Sequence, residues 1–401
     1  MSATPSRLAT ILTLILIATT CRAVSQDEKT TLGGYGNAVY TRQMESGDAS
    51  VDLERVVLFI GHTFSRKVSL VSELEMEDAK VTGGEGGGEI AFEQAYIQFT
   101  LDAAHRVVAG LFLPRIGILN ENHLPASFNG NERTQVETYI IPSTWRELGA
   151  GFYGENDVLP VEYSIALVNG LDASAFAHGS VIREGRFEGR NASAEALALT
   201  ASIAKSSGNA RIQVSGYYGG AAGLPPAEVD TLPIHGGAFG TPVALAEADA
   251  QITAGRFSLR LLGTLVSIPD AGSINDAFHN NTPRSARGGY FEAAYNLIFP
   301  SDAPDANVET ANTGNAYAAT AKGATAFIRY ERLDMNASLP ANGVRDGTLD
   351  QHHLVAGASY SPLRDIVIKA DVRFQWTGAP PGGSGGEQET TFLTLGIGFE
   401  Y

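Results

Sequence analysis

The final eight residues, Thr394-Leu395-Gly396-Ile397-Gly398-Phe399-Glu400-Tyr401, constrain the fold of this 401-residue chain more than any other segment. Leu395, Ile397, Phe399 and Tyr401 share one face of a strand, and Thr394, Gly396, Gly398 and Glu400 share the other. The strand ends on an aromatic ring with no polar tail. Such a strand suits the closing seam of a transmembrane β-barrel: it pairs with the first strand, turns its apolar face to lipid and rests its ring at the interface. An edge strand of a soluble β-sandwich is the alternative.

The spacing of Thr394, Gly396, Phe399 and Tyr401 resembles the C-terminal assembly signal of bacterial outer-membrane proteins. The start of the chain agrees with export. Arg7 precedes an apolar run from Leu8 to Ala18, which is shorter than the roughly twenty residues a spanning helix needs. Ala23-Val24-Ser25 offers small residues to a signal peptidase, so residues 1–25 are expected to be a cleaved signal peptide. Residues 26–401 then form one barrel domain in the outer membrane of a Gram-negative cell. Lipidation of Cys21 is an alternative, although Thr20 stands where lipoprotein signals carry Gly, Ala or Ser. Cleavage before Gln26 removes the single cysteine, and with it any disulfide or thiol chemistry.

No later segment is apolar enough to span as a helix, yet 44% of the residues are hydrophobic. They must be distributed through alternating strands. In Lys67–Glu77, Val68, Leu70, Leu74 and Met76 oppose Ser69, Glu73, Glu75 and Glu77. In Ile366–Gln375, Ile366, Ile368, Ala370, Val372 and Phe374 oppose Lys369, Asp371, Arg373 and Gln375. Arg211 and Arg260 fall on the polar faces of their strands in the same way. A basic residue on a lipid face near the midplane costs about 2–4 kcal/mol, so the polar faces must see a hydrated lumen. About sixteen such segments occur, an even number, and their connections alternate between short and long. Segment 300–320 breaks the alternation. Sixteen strands enclose an aqueous channel rather than a filled interior.

Without the signal peptide, 26 basic residues face 44 acids, a formal charge of −18. That argues against nucleic acid as a partner, which wants basic patches. It does not set ion preference, which follows the field at the narrowest point.

Four stretches, Pro114–Glu121, Asn129–Arg133, Val136–Thr138 and Ile140–Trp145, look like the third-loop region of outer-membrane porins of the phosphate-selective group. Gly289–Tyr295, Phe327–Glu331 and His353–Tyr360 look like later strands of that group. The resemblance implies an all-β, sixteen-stranded antiparallel barrel with an infolded third loop. It also implies a homotrimer and a channel for passive diffusion of small hydrophilic solutes. Phosphate selectivity in that group goes with rows of inward arginines and a lysine cluster. Here Arg115, Arg211, Arg260, Arg329 and Arg373 are scattered over several strands.

Loop 118–144 is the expected constriction. Glu121, Glu132, Arg133 and Glu137 are expected to face the pathway, with Arg115 and Arg146 as its wall anchors. Inward Glu73, Glu75 and Glu77 add negative charge, and Arg211, Arg260, Arg329, Lys369, Asp371 and Arg373 complete the lumen lining. Acids outnumber bases in the loop, which points to weak cation preference; the alternative is anion or phosphate preference through the arginines. A non-conducting structural or adhesin barrel is a third reading. No enzyme constellation, cofactor or metal site is expected. The adjacent His352 and His353 point to opposite faces of a strand and cannot easily share an ion. Expected partners are outer-membrane lipid, lipopolysaccharide and the barrel-assembly machinery.

Overall fold

The computed structural model describes residues 29–78, 88–156, 158–176, 178–298, 323–382 and 386–401. The signal peptide, segment 300–320 and most of the glycine-rich tip at 83–88 lie outside the described residues.

Period-two alternation of apolar and polar side chains is satisfied by a sheet with two chemically different faces. Sixteen strands form it: β1 (Lys29–Gln43), β2 (Ala49–Ser65), β3 (Val68–Glu77), β4 (Ile90–Thr100), β5 (His105–Phe112), β6 (Glu147–Asn156), β7 (Val161–Asn169) and β8 (Leu197–Ser207). The second half holds β9 (Ala210–Gly220), β10 (Pro242–Ala254), β11 (Phe257–Ser267), β12 (Ser285–Ile298), β13 (Gly323–Ser338), β14 (Asp350–Leu363), β15 (Ile366–Thr377) and β16 (Gln388–Glu400). Each pairs antiparallel with its sequence neighbour, and β1 pairs with β16 to close the barrel. Closure leaves no edge strand among the described residues, so no row of ladder donors and acceptors is left open along a strand.

The outer wall carries exposed Leu199, Ile203, Ile212, Val214, Ile368, Leu395 and Ile397. Thr200, Ser202, Gln213, Ser215, Glu247 and Asp249 alternate with such residues and are buried inside. At the seam, Gly34 N–H donates to Tyr401 O (3.0 Å) and Tyr401 N–H to Gly34 O (2.9 Å). Gly34 and Gly36 leave room for the closing aromatics: a Cβ on Gly36 would lie 2.7 Å from the Phe399 ring, and one on Gly34 2.7 Å from the Tyr401 hydroxyl.

At one end, the connections 66–67, 101–104, 208–209, 255–256 and 364–365 are two to four residues long. At the other end, loops 113–146, 170–196, 221–241 and 268–284 are long and carry apolar side chains. These pack together. Ile116, Ile140, Ile141 and Trp145 from the first join Leu171, Phe176 and Ile182 from the second, Ile234 from the third, and Ile268 and Ile274 from the fourth in one buried cluster. Each such side chain is worth roughly 1.5–3 kcal/mol when buried. The loops therefore hold their shape by a core of their own and occupy the β5–β12 side of the mouth.

Candidate functional site

Loop 113–146 leaves β5 after Phe112 and crosses the lumen. Its two limbs are stapled by Asn120, whose Nδ2 donates to Pro114 O (2.7 Å) and Trp145 O (3.1 Å) while its Oδ1 accepts from Trp145 N (2.6 Å). A one-turn helix, α1 (Gln135–Tyr139), is capped by Thr134, whose Oγ1 accepts from Glu137 N (3.2 Å). The Glu137 carboxylate then accepts from Ile118 N and Leu119 N (both 2.7 Å) and from Tyr290 Oη (2.8 Å). It is fully buried.

The middle of the loop rests on the opposite wall. Lys369 Nζ donates to Phe128 O and Gly130 O (both 2.8 Å). Asp371 accepts from the backbone and side-chain nitrogens of Asn131 (both 2.8 Å). Arg260 donates to Ser127 O (3.0 Å) and Arg329 to Asn129 O (3.3 Å), and Arg329 is flanked by Glu292 (3.3 Å) and Glu331 (2.8 Å). Arg373 pairs with Glu132 at 3.3 Å. Two residues of the closing strand make room: a Cβ on Gly396 would fall 2.0 Å from Asn131 Oδ1, and one on Gly398 2.9 Å from Pro125 Cβ. Thr394, fully buried, hydrogen-bonds Asp371. Thr394 and Gly396 thus face the loop, whereas Phe399 and Tyr401 lie along the outer seam.

Between this loop and strands β1, β2, β14 and β15 lies a cavity of about 480 Å³. Arg55, Arg133, Arg183 and Arg373 line it, against Glu54 and Glu132, and His123 reaches its edge. Arg133 Nη2 has no hydrogen-bond partner. Arg183 donates to two carbonyls, Thr138 O (2.7 Å) and Ser143 O (3.3 Å). Among the described residues, neither guanidinium has a carboxylate within 4 Å. Burial and the neighbouring Arg55 lower Arg133 to about 10, which leaves it charged at neutral pH.

The six residues expected at the constriction therefore separate. Glu132 and Arg133 line the cavity. Arg115 pairs with Glu121 (2.8 Å) and Glu162 (3.6 Å) on the β6–β7 side, away from it. Arg146 is tied to Glu75 (3.6 Å) and Glu188 (2.9 Å). Glu137 does not face the pathway, because its carboxylate is consumed as the loop's internal brace. Burial pushes it up to about 7 despite hydrogen bonds from Leu119, Tyr290 and Ile118.

The glutamate row of β3 is similarly engaged. Glu75 meets Arg55 at 3.3 Å, Glu73 accepts from Gln94 Nε2 (2.9 Å), and Glu77 sits opposite Arg55 in the ladder. Arg211 donates to Gln213 Oε1 (2.8 Å), apart from the loop. His352 touches the outward Tyr330 and Arg332, while His353 is buried inside.

Sequence reasoning missed Arg55, Glu54 and Arg183 as cavity-lining groups. It also missed the pairing of His123 with Glu93 and Glu73. His123 Nε2 lies 3.4 Å from Glu93 Oε2 and 3.7 Å from Glu73 Oε2. Burial opposes charge on this imidazole, but the Glu93 and Glu73 carboxylates outweigh it and push His123 up to about 10. No local motif announces either cluster, since each forms from strands and loops distant in sequence.

No family profile matches the chain. It is 27% identical over 353 residues to an uncharacterised protein of Aquifex aeolicus, covering 85% of this chain and 74% of that one. Solved structures with the same fold include OmpF of Salmonella typhi in complex with daunomycin (TM-score 0.58, 11% identity) and the outer-membrane channel DcaP of Acinetobacter baumannii (0.57, 12%). An anion-selective porin from Comamonas acidovorans has a TM-score of 0.54 at 12% identity. The first two likenesses cover 94% of this chain and 99% of the other, and the third 94% and 100%. The fold is that of the outer-membrane porins.

Proposed function

We propose that this protein is an outer-membrane channel for passive diffusion of small hydrophilic solutes, and that its passage favours anions. The carrying observation is the cavity beside loop 113–146, where four guanidinium groups stand against two carboxylates and two of the four lack a carboxylate partner. Charges in a confined passage are screened less than on a surface, so a few of them decide which ions enter. The loop acids that pointed to cation preference are paired or buried, and they leave the arginines to set the field. The Comamonas porin, described as anion-selective, is a parallel on the same fold.

On this reading residues 1–25 direct export and are removed. Phe399 and Tyr401 serve the assembly machinery, and the mature barrel sits as a homotrimer among outer-membrane lipid and lipopolysaccharide. A non-conducting barrel is the second reading, favoured by the apolar loop core that fills one side of the mouth. Liposome swelling decides between them. Proteoliposomes should swell in small neutral sugars and faster in monocarboxylate salts than in matched monoamine salts. Failure to swell in any solute would support the non-conducting barrel, and faster entry of the amines would overturn the anion preference.

A further inference from the structure

We propose that Glu73, Glu93 and His123 form a binding site for a divalent transition-metal ion, which fastens loop 113–146 to strands β3 and β4. The three residues come from three separate segments, and one ligand atom from each lies within 4.8 Å of the others. His123 is 4% exposed. Its Nδ1 lies 3.1 Å from Asn120 O, an acceptor fixed by the loop's own staple, so Nδ1 keeps its proton, and Nε2, which faces the carboxylates, releases its proton to solvent when an ion binds. A carbonyl partner on the far nitrogen is the usual support of a metal-bound histidine.

Nε2 is buried and has no hydrogen-bond partner. Its separations from Glu93 and Glu73, 3.4 and 3.7 Å, exceed the roughly 2.7–2.9 Å of a charge-assisted hydrogen bond. They fit ligand atoms that share one ion: bonds of about 2.0–2.2 Å to nitrogen and oxygen place tetrahedral neighbours roughly 3.4 Å apart.

The carboxylates are also held as ligands are held. Glu93 is fully buried, its Oε2 accepts from Tyr35 Oη (2.7 Å), and its Oε1 has no partner. Glu73 is fixed by Gln94. One imidazole and two carboxylates suit Zn²⁺, Co²⁺ or Ni²⁺ better than Ca²⁺ or Mg²⁺, which prefer all-oxygen shells. Because His123 borders the cavity, an ion has an entry path and water can complete its shell.

The test is titration of chelator-stripped, detergent-purified full-length protein with Zn²⁺ by calorimetry and with Co²⁺ by visible absorption. The expected result is saturable binding of one ion per chain, with Co²⁺ bands of a four- or five-coordinate site. Glu73→Gln and His123→Asn should each weaken binding at least tenfold, and His352→Asn should not change it. Heat-modifiable migration establishes that each variant has folded. If His123→Asn does not fold, Glu73→Gln, at the more exposed edge of the cluster, decides. Absence of saturable binding, or binding unchanged in Glu73→Gln, overturns the proposal.

Discussion

Arg133→Gln removes a cavity-lining charge while disturbing little else. Arg133 Nη2 makes no hydrogen bond, whereas Arg183 holds two loop carbonyls in place. A cavity of about 480 Å³ has the volume of a sphere roughly 5 Å in radius, so a permeating ion passes at about that distance from the guanidinium. One unit charge at that range is worth about 0.8 kcal/mol in water, and about 0.5 kcal/mol after screening at 0.1 M salt. The substitution acts with opposite sign on anions and cations, so their permeability ratio should fall about fivefold toward cations. In a planar bilayer under a tenfold KCl gradient, the reversal potential should move by tens of millivolts in that direction, with conductance changed less than about twofold. Glu54→Gln should move it the other way. A reversal potential unchanged in Arg133→Gln would refute the placement of Arg133 in the ion path.

Four further outcomes follow from the same geometry. Glu137 rises from an ordinary 4.5 to about 7, so the folded loop favours its protonated form. The stabilisation is complete below pH 4.5 and is lost as pH climbs through 7, on the order of 3 kcal/mol if fully expressed. Protection factors at the Ile118 and Leu119 amides should therefore fall between pH 4.5 and pH 7.5, and Glu137→Gln should flatten that fall. Gly396→Val puts a side chain where Asn131 sits, so the loop must shift and single-channel conductance should rise. Wild-type conductance in Gly396→Val would count against the seating of Asn131 on β16. Tyr401→Asp places a charge at the outer seam, where the ring covers Gly34, and should reduce folded barrel in the outer membrane several-fold by heat-modifiability assay.

The barrel was legible because its physics is local. Alternation in Lys67–Glu77 or Ile366–Gln375 is set by which face sees lipid, and sixteen strands with alternating connections follow from repeating it. Strand ends were less so: β13 runs on to Ser338, beyond the stretch Phe327–Glu331 that carries its resemblance, because Leu333 and Met335 pack into the loop core. That core is the main feature not read from the sequence. Ile116, Ile140, Ile141, Trp145, Phe176, Ile182, Ile268 and Ile274 are too apolar for free surface loops, and that excess was the available signal. Charge placement was illegible for a different reason. Counting acids in loop 118–144 treats them alike, yet Glu137 is consumed by two backbone amides and Tyr290, and Glu121 by Arg115. Only tertiary structure tells which charges remain for a passing ion.

The most direct test of the account is single-channel recording of the purified wild-type protein beside a variant lacking residues 122–140. The account predicts discrete steps with an anion-favouring reversal potential in the wild type, and larger, less selective steps in the deletion. Steps of equal size in both would place the loop outside the path, and silence in both would show that the barrel does not conduct.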